Sequence, residues 1–167
     1  MNVLERFRLD GKRLMITGGS HGFGRAIALA AAEAGADIVL VARDPEALER
    51  AADEVRERGR QAWTYAADIA QPDVCEDLCR RVLAERDPID ILVNNVGGRN
   101  VDVAIENCDL ETWRRLVDLN LTHCFLATKM IGGAMLGRGW GRVINIASIS
   151  GMIANKGIGG RHYETAK

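Results

Sequence analysis

Five short aliphatic and β-branched runs punctuate this chain, and a stretch of helical periodicity follows nearly every one. That alternation constrains the fold more than any other feature. The runs fall at residues 14–17, 38–42, 62–66, 89–93 and 142–147. Most are apolar nearly throughout rather than at every second position, so they expect cover on both faces of a sheet. Helices are expected over 24–34, 45–58, 73–86 and 110–136. Gly35 closes the first; Asp44 caps the second, with Pro45 at its first helical position, and Gly59 stops it. A polar loop, 94–109, and a glycine-rich turn, 137–141, separate the last elements. Such alternation reads as an α/β architecture, a parallel sheet with helices on both faces. No repeat, low-complexity tract or linker divides the chain, so one domain is expected over 1–167.

Composition narrows the function classes. Net charge is −1 with 27% charged residues and no basic stripe with interleaved aromatics, which argues against nucleic acid and against an anionic membrane surface. No apolar run approaches the roughly 20 residues that span a bilayer, and residues 1–12 hold no signal-peptide core. Four cysteines, Cys75, Cys79, Cys108 and Cys124, form no C-x-x-C pair. Cys75 and Cys79, one helical turn apart, read as packing thiols, so a reducing cytoplasm is the expected compartment.

The first run joins the first helix through Thr17-Gly18-Gly19-Ser20-His21-Gly22-Phe23-Gly24. Glycines here permit a tight turn and let a backbone approach a pyrophosphate, while the helix N-terminus presents amide donors and partial positive charge. The spacing is not the G-x-G-x-x-G fingerprint, but the physics is the same. Glycine turns also serve plain strand-to-helix packing. Its place at the start of an alternating chain points instead to a dinucleotide, contacted through Gly18, Ser20, His21, Gly22, Phe23 and Gly24.

A second constellation lies at the other end. Tyr163 and Lys167 stand at i and i+4, on one face of any helix, and Ser148 ends the fifth run. A phenol beside an ammonium can give and take a proton, because positive charge favours phenolate and draws a group that ordinarily titrates at about 10 toward working pH. A serine hydroxyl can hold a carbonyl or alcohol oxygen next to that phenol. This is the proton half of a carbonyl/alcohol redox reaction, and the glycine turn announces its hydride carrier. In isolation the same residues read as a surface helix pair and a turn serine.

Cofactor choice rests on the end of the second strand, Ala42-Arg43-Asp44. A carboxylate there suits a ribose 2′-hydroxyl and an arginine suits a 2′-phosphate. Asp37 lies at the wrong end of the strand and Asp44 is better explained as a helix cap. Arg43 therefore favours NADP(H) over NAD(H), the alternative being a solvated charge. His21 could add weak positive character. His123 and His162 show no ligand spacing with cysteines or acids, and no metal is expected.

Taken together, these residues resemble the short-chain dehydrogenase/reductase family. The segment 17–24 is similar to its T-G-x-x-x-G-x-G cofactor loop, and Asn94-Asn95-Val96-Gly97 to its N-N-A-G segment, with Val96 in place of the usual alanine. Asp68, followed by Ile69, stands where the family contacts adenine. Asn120 stands at its catalytic asparagine, and Ser148 with Tyr163-x-x-x-Lys167 matches its serine and Y-x-x-x-K pair. The resemblance implies a Rossmann-type doubly wound sheet of strand order 3-2-1-4-5. It implies hydride exchange between a nicotinamide and a small-molecule carbonyl or alcohol. Tyr163 would be the acid/base, Lys167 would lower its pKa and bind the nicotinamide ribose, Ser148 would orient the substrate oxygen, and Asn120 would hold a water leading to solvent. Asn95, Val96 and Gly97 would contact the cofactor. Blander readings remain beside these: Asn120 bending a long helix, Asp68 capping a turn, Asn94 and Asn95 tying strand ends together.

Two departures bear on function. The interval from Ser148 to Tyr163 is longer than the family's, the extra length falling in 154–161. Family members also continue past the lysine with further strands, helices and a substrate-covering loop. The chain is therefore expected to be C-terminally incomplete, with its fifth strand an exposed apolar edge and a homo-oligomer, dimer or tetramer, expected of the full-length form. The alternatives to an active oxidoreductase are a non-catalytic dinucleotide-binding fragment and a partner-binding remnant. Substrate identity is not legible. The stretches 97–103 and 157–162 are expected to line the pocket, with Arg99 or Arg161 meeting a polar or anionic substrate.

Overall fold

The computed structural model describes residues 2–99, 103–153 and 161–167. Five strands, β1 (Arg13–Thr17), β2 (Asp37–Ala42), β3 (Ala62–Ala66), β4 (Ile91–Asn94) and β5 (Arg142–Asn145), form one parallel sheet in the order β3-β2-β1-β4-β5. In the central register Ile16 lies between Leu40 and Val93. Helices α1 (Gly22–Glu33), α2 (Pro45–Glu57) and α3 (Pro72–Arg86) follow the first three strands.

The near-continuous apolar runs have the expected cause: side chains alternate across the sheet and both faces are covered. Leu14, Ile16, Ile38 and Leu40 pack with Ala28, Ala32, Leu48 and Val55 of α1 and α2. Met15, Val39, Val41 and Leu92 pack with Cys75, Leu78, Cys79 and Val82 of α3. Several ends differ from the sequence reading. The fourth strand begins only at Ile91, and Asp90 just before it turns its carboxylate onto the Arg13 amide, 2.9 Å away. The third helix begins one residue earlier, with Pro72 at its first position, where a missing N–H costs nothing. The fifth strand stops at Asn145.

The stretch expected as one helix over 110–136 is a continuous helical rod, but not a uniform one. Three α segments, α4 (Leu110–Val117), α5 (His123–Ala127) and α6 (Gly133–Gly137), are joined by two wide π turns, Asp118–Thr122 and Thr128–Gly132. Leu126, Ala127, Ile131 and Met135 of this rod cover the sheet beside α3. A last helix, α7 (Arg161–Ala166), follows Ser148 and a short 3-10 turn. β5 forms the sheet edge, and its Val143 and Ile144 are exposed, as expected. Among the described residues no helix is long and apolar enough to cross a membrane. The chain thus has a Rossmann-like α/β fold. Its topological switch point lies between β1 and β4, where chain direction across the sheet reverses and a crevice opens at the strand C-termini.

Candidate active site

The glycine turn is built at that crevice. Gly18 and Gly22 adopt left-handed backbone, φ 69° and 54°, a region that costs most residues about 1 kcal/mol or more. The Gly18 and Gly19 amides both donate to the Val41 carbonyl, at 2.7 and 3.1 Å. Gly24 answers a different need: a Cβ there would strike the Gly18 carbonyl and lie 2.7 Å from Asn95 Nδ2. His21 occupies the N-cap of α1 without a side-chain capping bond, and the helix's first turn holds no acid. The first amides of α1 are left for an anion. Ser20 is buried, its Oγ 3.0 Å from His21 Nδ1.

Opposite stands the loop after β4. Thr17 Oγ1 accepts from both the Asn95 and Val96 amides, at 3.0 and 3.1 Å. Asn95 Nδ2 returns to the Thr17 and Gly18 carbonyls, at 3.0 and 3.4 Å. Asn94 Nδ2 reaches Asn145 Oδ1 at 2.8 Å and Thr128 Oγ1 at 3.2 Å, tying β4 to β5 and to the long helix. Both asparagines therefore have an architectural task, and Asn95 also faces the crevice.

Asn120, in the first π turn, is buried with its carboxamide fully engaged. Oδ1 accepts from the Gly98 amide at 2.9 Å, and Nδ2 donates to Gly98 O at 3.0 Å and Leu116 O at 2.9 Å. Lys167 Nζ donates to Ile146 O at 3.1 Å. Gly97 leaves the room this needs: a Cβ there would run into the Lys167 ammonium and lie 2.9 Å from Asn120 Oδ1. Ser148 Oγ accepts from Ser150 N at 3.1 Å, which keeps its own proton available for donation.

These groups surround one cavity of about 1040 Å³, at the upper end of small-molecule sites. Gly18, Ser20, His21, Gly22, Phe23 and Gly24 line one wall, Arg43, Asp68 and Ile69 another, and Asn95, Val96 and Gly97 a third. Ser148, Tyr163 and Lys167 close it. Asn120 stands back from the cavity surface, behind Gly97 and Gly98. Asp44 caps α2 as expected, accepting from Glu46 N and Ala47 N at 3.0 and 3.1 Å. That leaves Arg43, exposed and without an ion pair among the described residues, as the cation at the β2 end. Asp68 Oδ1 also accepts from Ala70 N at 3.3 Å, so its turn role and its place in the cavity coexist.

Apolar walls at Val41, Ala42, Ala67, Leu119 and Ile146 escaped sequence reading, because a strand-end alanine or valine carries no mark separating cavity from core. Thr17 was legible only as part of the turn, not as the lock between two strands. Arg99 does not reach the cavity lining. Most of 157–162, residues 100–102 and the Arg161 side chain lie outside the described residues.

A dinucleotide would fit such a crevice. The uncapped helix start, the close approach that Gly24 permits and the free cation at Arg43 all suit phosphate.

Comparison with known proteins places the chain. A family profile described as short chain dehydrogenase matches residues 12–167. A 3-oxoacyl-[acyl-carrier-protein] reductase of Synechocystis sp. is 37% identical over 95% of this chain and 64% of its own length. A crystal structure of a short-chain type dehydrogenase/reductase from Mycobacterium marinum superposes with a TM-score of 0.91 at 39% identity, covering 100% of this chain and 68% of that one. Another, described as an NAD(P)-dependent gluconate 5-dehydrogenase from Beutenbergia cavernae with NADP bound at low occupancy, gives 0.88 at 31% identity, covering 96% and 63%. The chain belongs to the short chain dehydrogenase family and spans less than two thirds of the curated relatives it matches.

Proposed function

We propose that this chain carries the cofactor site and the proton-transfer groups of an NADP(H)-dependent oxidoreductase that interconverts a small-molecule carbonyl and its alcohol. The observation that carries the reading is convergence: Ser148, Tyr163 and Lys167 share one cavity with the glycine turn, 124 to 149 residues away in sequence. A nicotinamide dinucleotide, when bound, would supply or accept the hydride. In the reducing direction Tyr163 donates its phenolic proton to the substrate oxygen as the carbonyl carbon is reduced; in the oxidising direction the phenolate takes the proton back. The Ser148 hydroxyl donates to the same oxygen and stabilises charge developing on it. Lys167, anchored on Ile146 O, keeps positive charge at this end of the cavity. Asn120 holds the Gly98 backbone in place beside Lys167. Arg43 selects the 2′-phosphate of NADP(H) over NAD(H), since the neighbouring carboxylate is committed to the α2 cap. The full-length protein would be a cytoplasmic homo-oligomer.

Fluorescence titration with NADPH and NADH, alongside turnover with a panel of carbonyl substrates, tests the reading. Preferential NADPH binding with turnover supports it. Binding without turnover favours a non-catalytic dinucleotide-binding unit, and absence of any nucleotide binding ends both.

A further inference from the structure

The long helix carries an imidazole that the proposed reaction does not use. His123 opens α5 directly after the π turn and is 1% exposed. Its backbone N–H donates to the Asp118 carbonyl, five residues back, which closes the wide turn. Its ring returns to the same oxygen: Nδ1 lies 3.3 Å from Asp118 O. Nε2 lies 3.3 Å from Cys124 Sγ, which is itself 3.7 Å from Asn120 O. From α3, Cys75 Sγ approaches the His123 carbonyl at 3.9 Å. A carbonyl can only accept, so Nδ1 carries the proton and Nε2, bearing the lone pair, faces the Cys124 sulfur. Burial, helped by the charge of Lys167, keeps the ring neutral, its pKa pushed down to about 4.

A π turn holds one more residue than an α turn and is intrinsically poorer, which is why such turns persist only where something holds them. If this one relaxed to α geometry, Asn120 would rotate by about 100° around the helix axis. Its bonds to Gly98 would break, and the backbone beside Lys167 would lose its anchor. We propose that His123 is the positioning residue for Asn120: by donating Nδ1–H to Asp118 O it holds the widened turn that aims the Asn120 carboxamide at the Gly98 backbone. The catalytic consequence of this device rests on the function proposed above; the device itself does not.

The test uses the unliganded chain. Imidazole nitrogen shifts of His123 in the unaltered protein should report the Nδ1–H tautomer, and an Nε2–H ring overturns the proposal. Hydrogen exchange at the Gly98 amide then reads the Asn120 clamp directly. His123→Leu keeps bulk without a donor, and His123→Asn places an amide N–H where Nδ1–H stood. Exchange at Gly98 should accelerate at least about tenfold in the Leu variant and return to within about threefold in the Asn variant, while Ile16 and Leu40 in the sheet stay protected in both. Unchanged Gly98 protection in His123→Leu, or no recovery in His123→Asn, overturns the proposal. Should the Leu variant fail to fold, the tautomer and the protection of Gly98 in His123→Asn decide it. Turnover is followed separately: a Gly98 response without a turnover response upholds the positioning role and removes Asn120 from the proposed chemistry.

Discussion

Tyr163 and Arg43 carry the sharpest consequences of single side chains. Replacing Tyr163 with Phe keeps the ring that helps close the cavity and removes only the O–H. Under the proposed function, turnover in Tyr163→Phe should fall by about 10²–10⁴, while NADPH affinity by fluorescence titration stays within about threefold. Turnover equal to the parent would place the proton donor elsewhere. Arg43 is exposed and has no carboxylate partner among the described residues, so removing it breaks no internal structure. Arg43→Ala should weaken NADPH binding by about 10–100-fold, the worth of a hydrogen bond to a charged group, and leave NADH nearly unaffected. Equal losses for both nucleotides would take Arg43 out of the phosphate site. At this scale the sequence was informative wherever a residue type has few other reasons to be there. Its limits show at Asn95 and Asp68, each of which carries a structural bond while facing the cavity.

Among the elements, the junction of β1 and β4 decides whether a cavity exists at all. Thr17 Oγ1 accepts two amides there from a side chain that is 1% exposed. Thr17→Val preserves shape and leaves both part-buried N–H groups without this acceptor. A loss of about 2–4 kcal/mol is expected, read as a lower urea midpoint with an unchanged slope; Thr17→Ser should recover most of it. An unchanged midpoint in the Val variant would mean that both amides find other acceptors. The long helix shows the complementary limit. Its extent was readable from residue 110 onward because the apolar pattern persists. Its two π turns were not, because one inserted residue shifts phase by only a fraction of a turn and the flanking pattern absorbs it.

Across the whole molecule, burial of His123 couples the site to acid stability. The folded ring binds a proton only near pH 4, whereas an unfolded ring does so at its ordinary 6.5. Between these values the unfolded state holds more protons, so stability rises with pH across the window and falls as pH drops from 6.5 toward 4. The contribution lost is at most about 3 kcal/mol. Urea melts between pH 7 and pH 4 should show this slope, and His123→Asn should remove that part of it; an identical slope in the variant would assign the acid sensitivity to other groups. The two apolar layers on either face of the sheet supply the rest of the frame.

Element type was legible from the chain because it rests on local causes, whereas strand order was carried by the family resemblance. Continuous apolar runs demand two covered faces, Asp44 and Pro45 set a helix start, and glycines mark where backbone must turn tightly. What only the folded molecule decided is how distant groups share their bonds. The pairing of Thr17 with the 95–96 amides, the clamp between Asn120 and Gly98, and the placing of Lys167 against Gly97 each join residues at least 22 positions apart. Hydrogen bonds reach about 3 Å. Which partner comes within that reach is a property of the packed sheet and the widened helix, and no spacing along the chain encodes it.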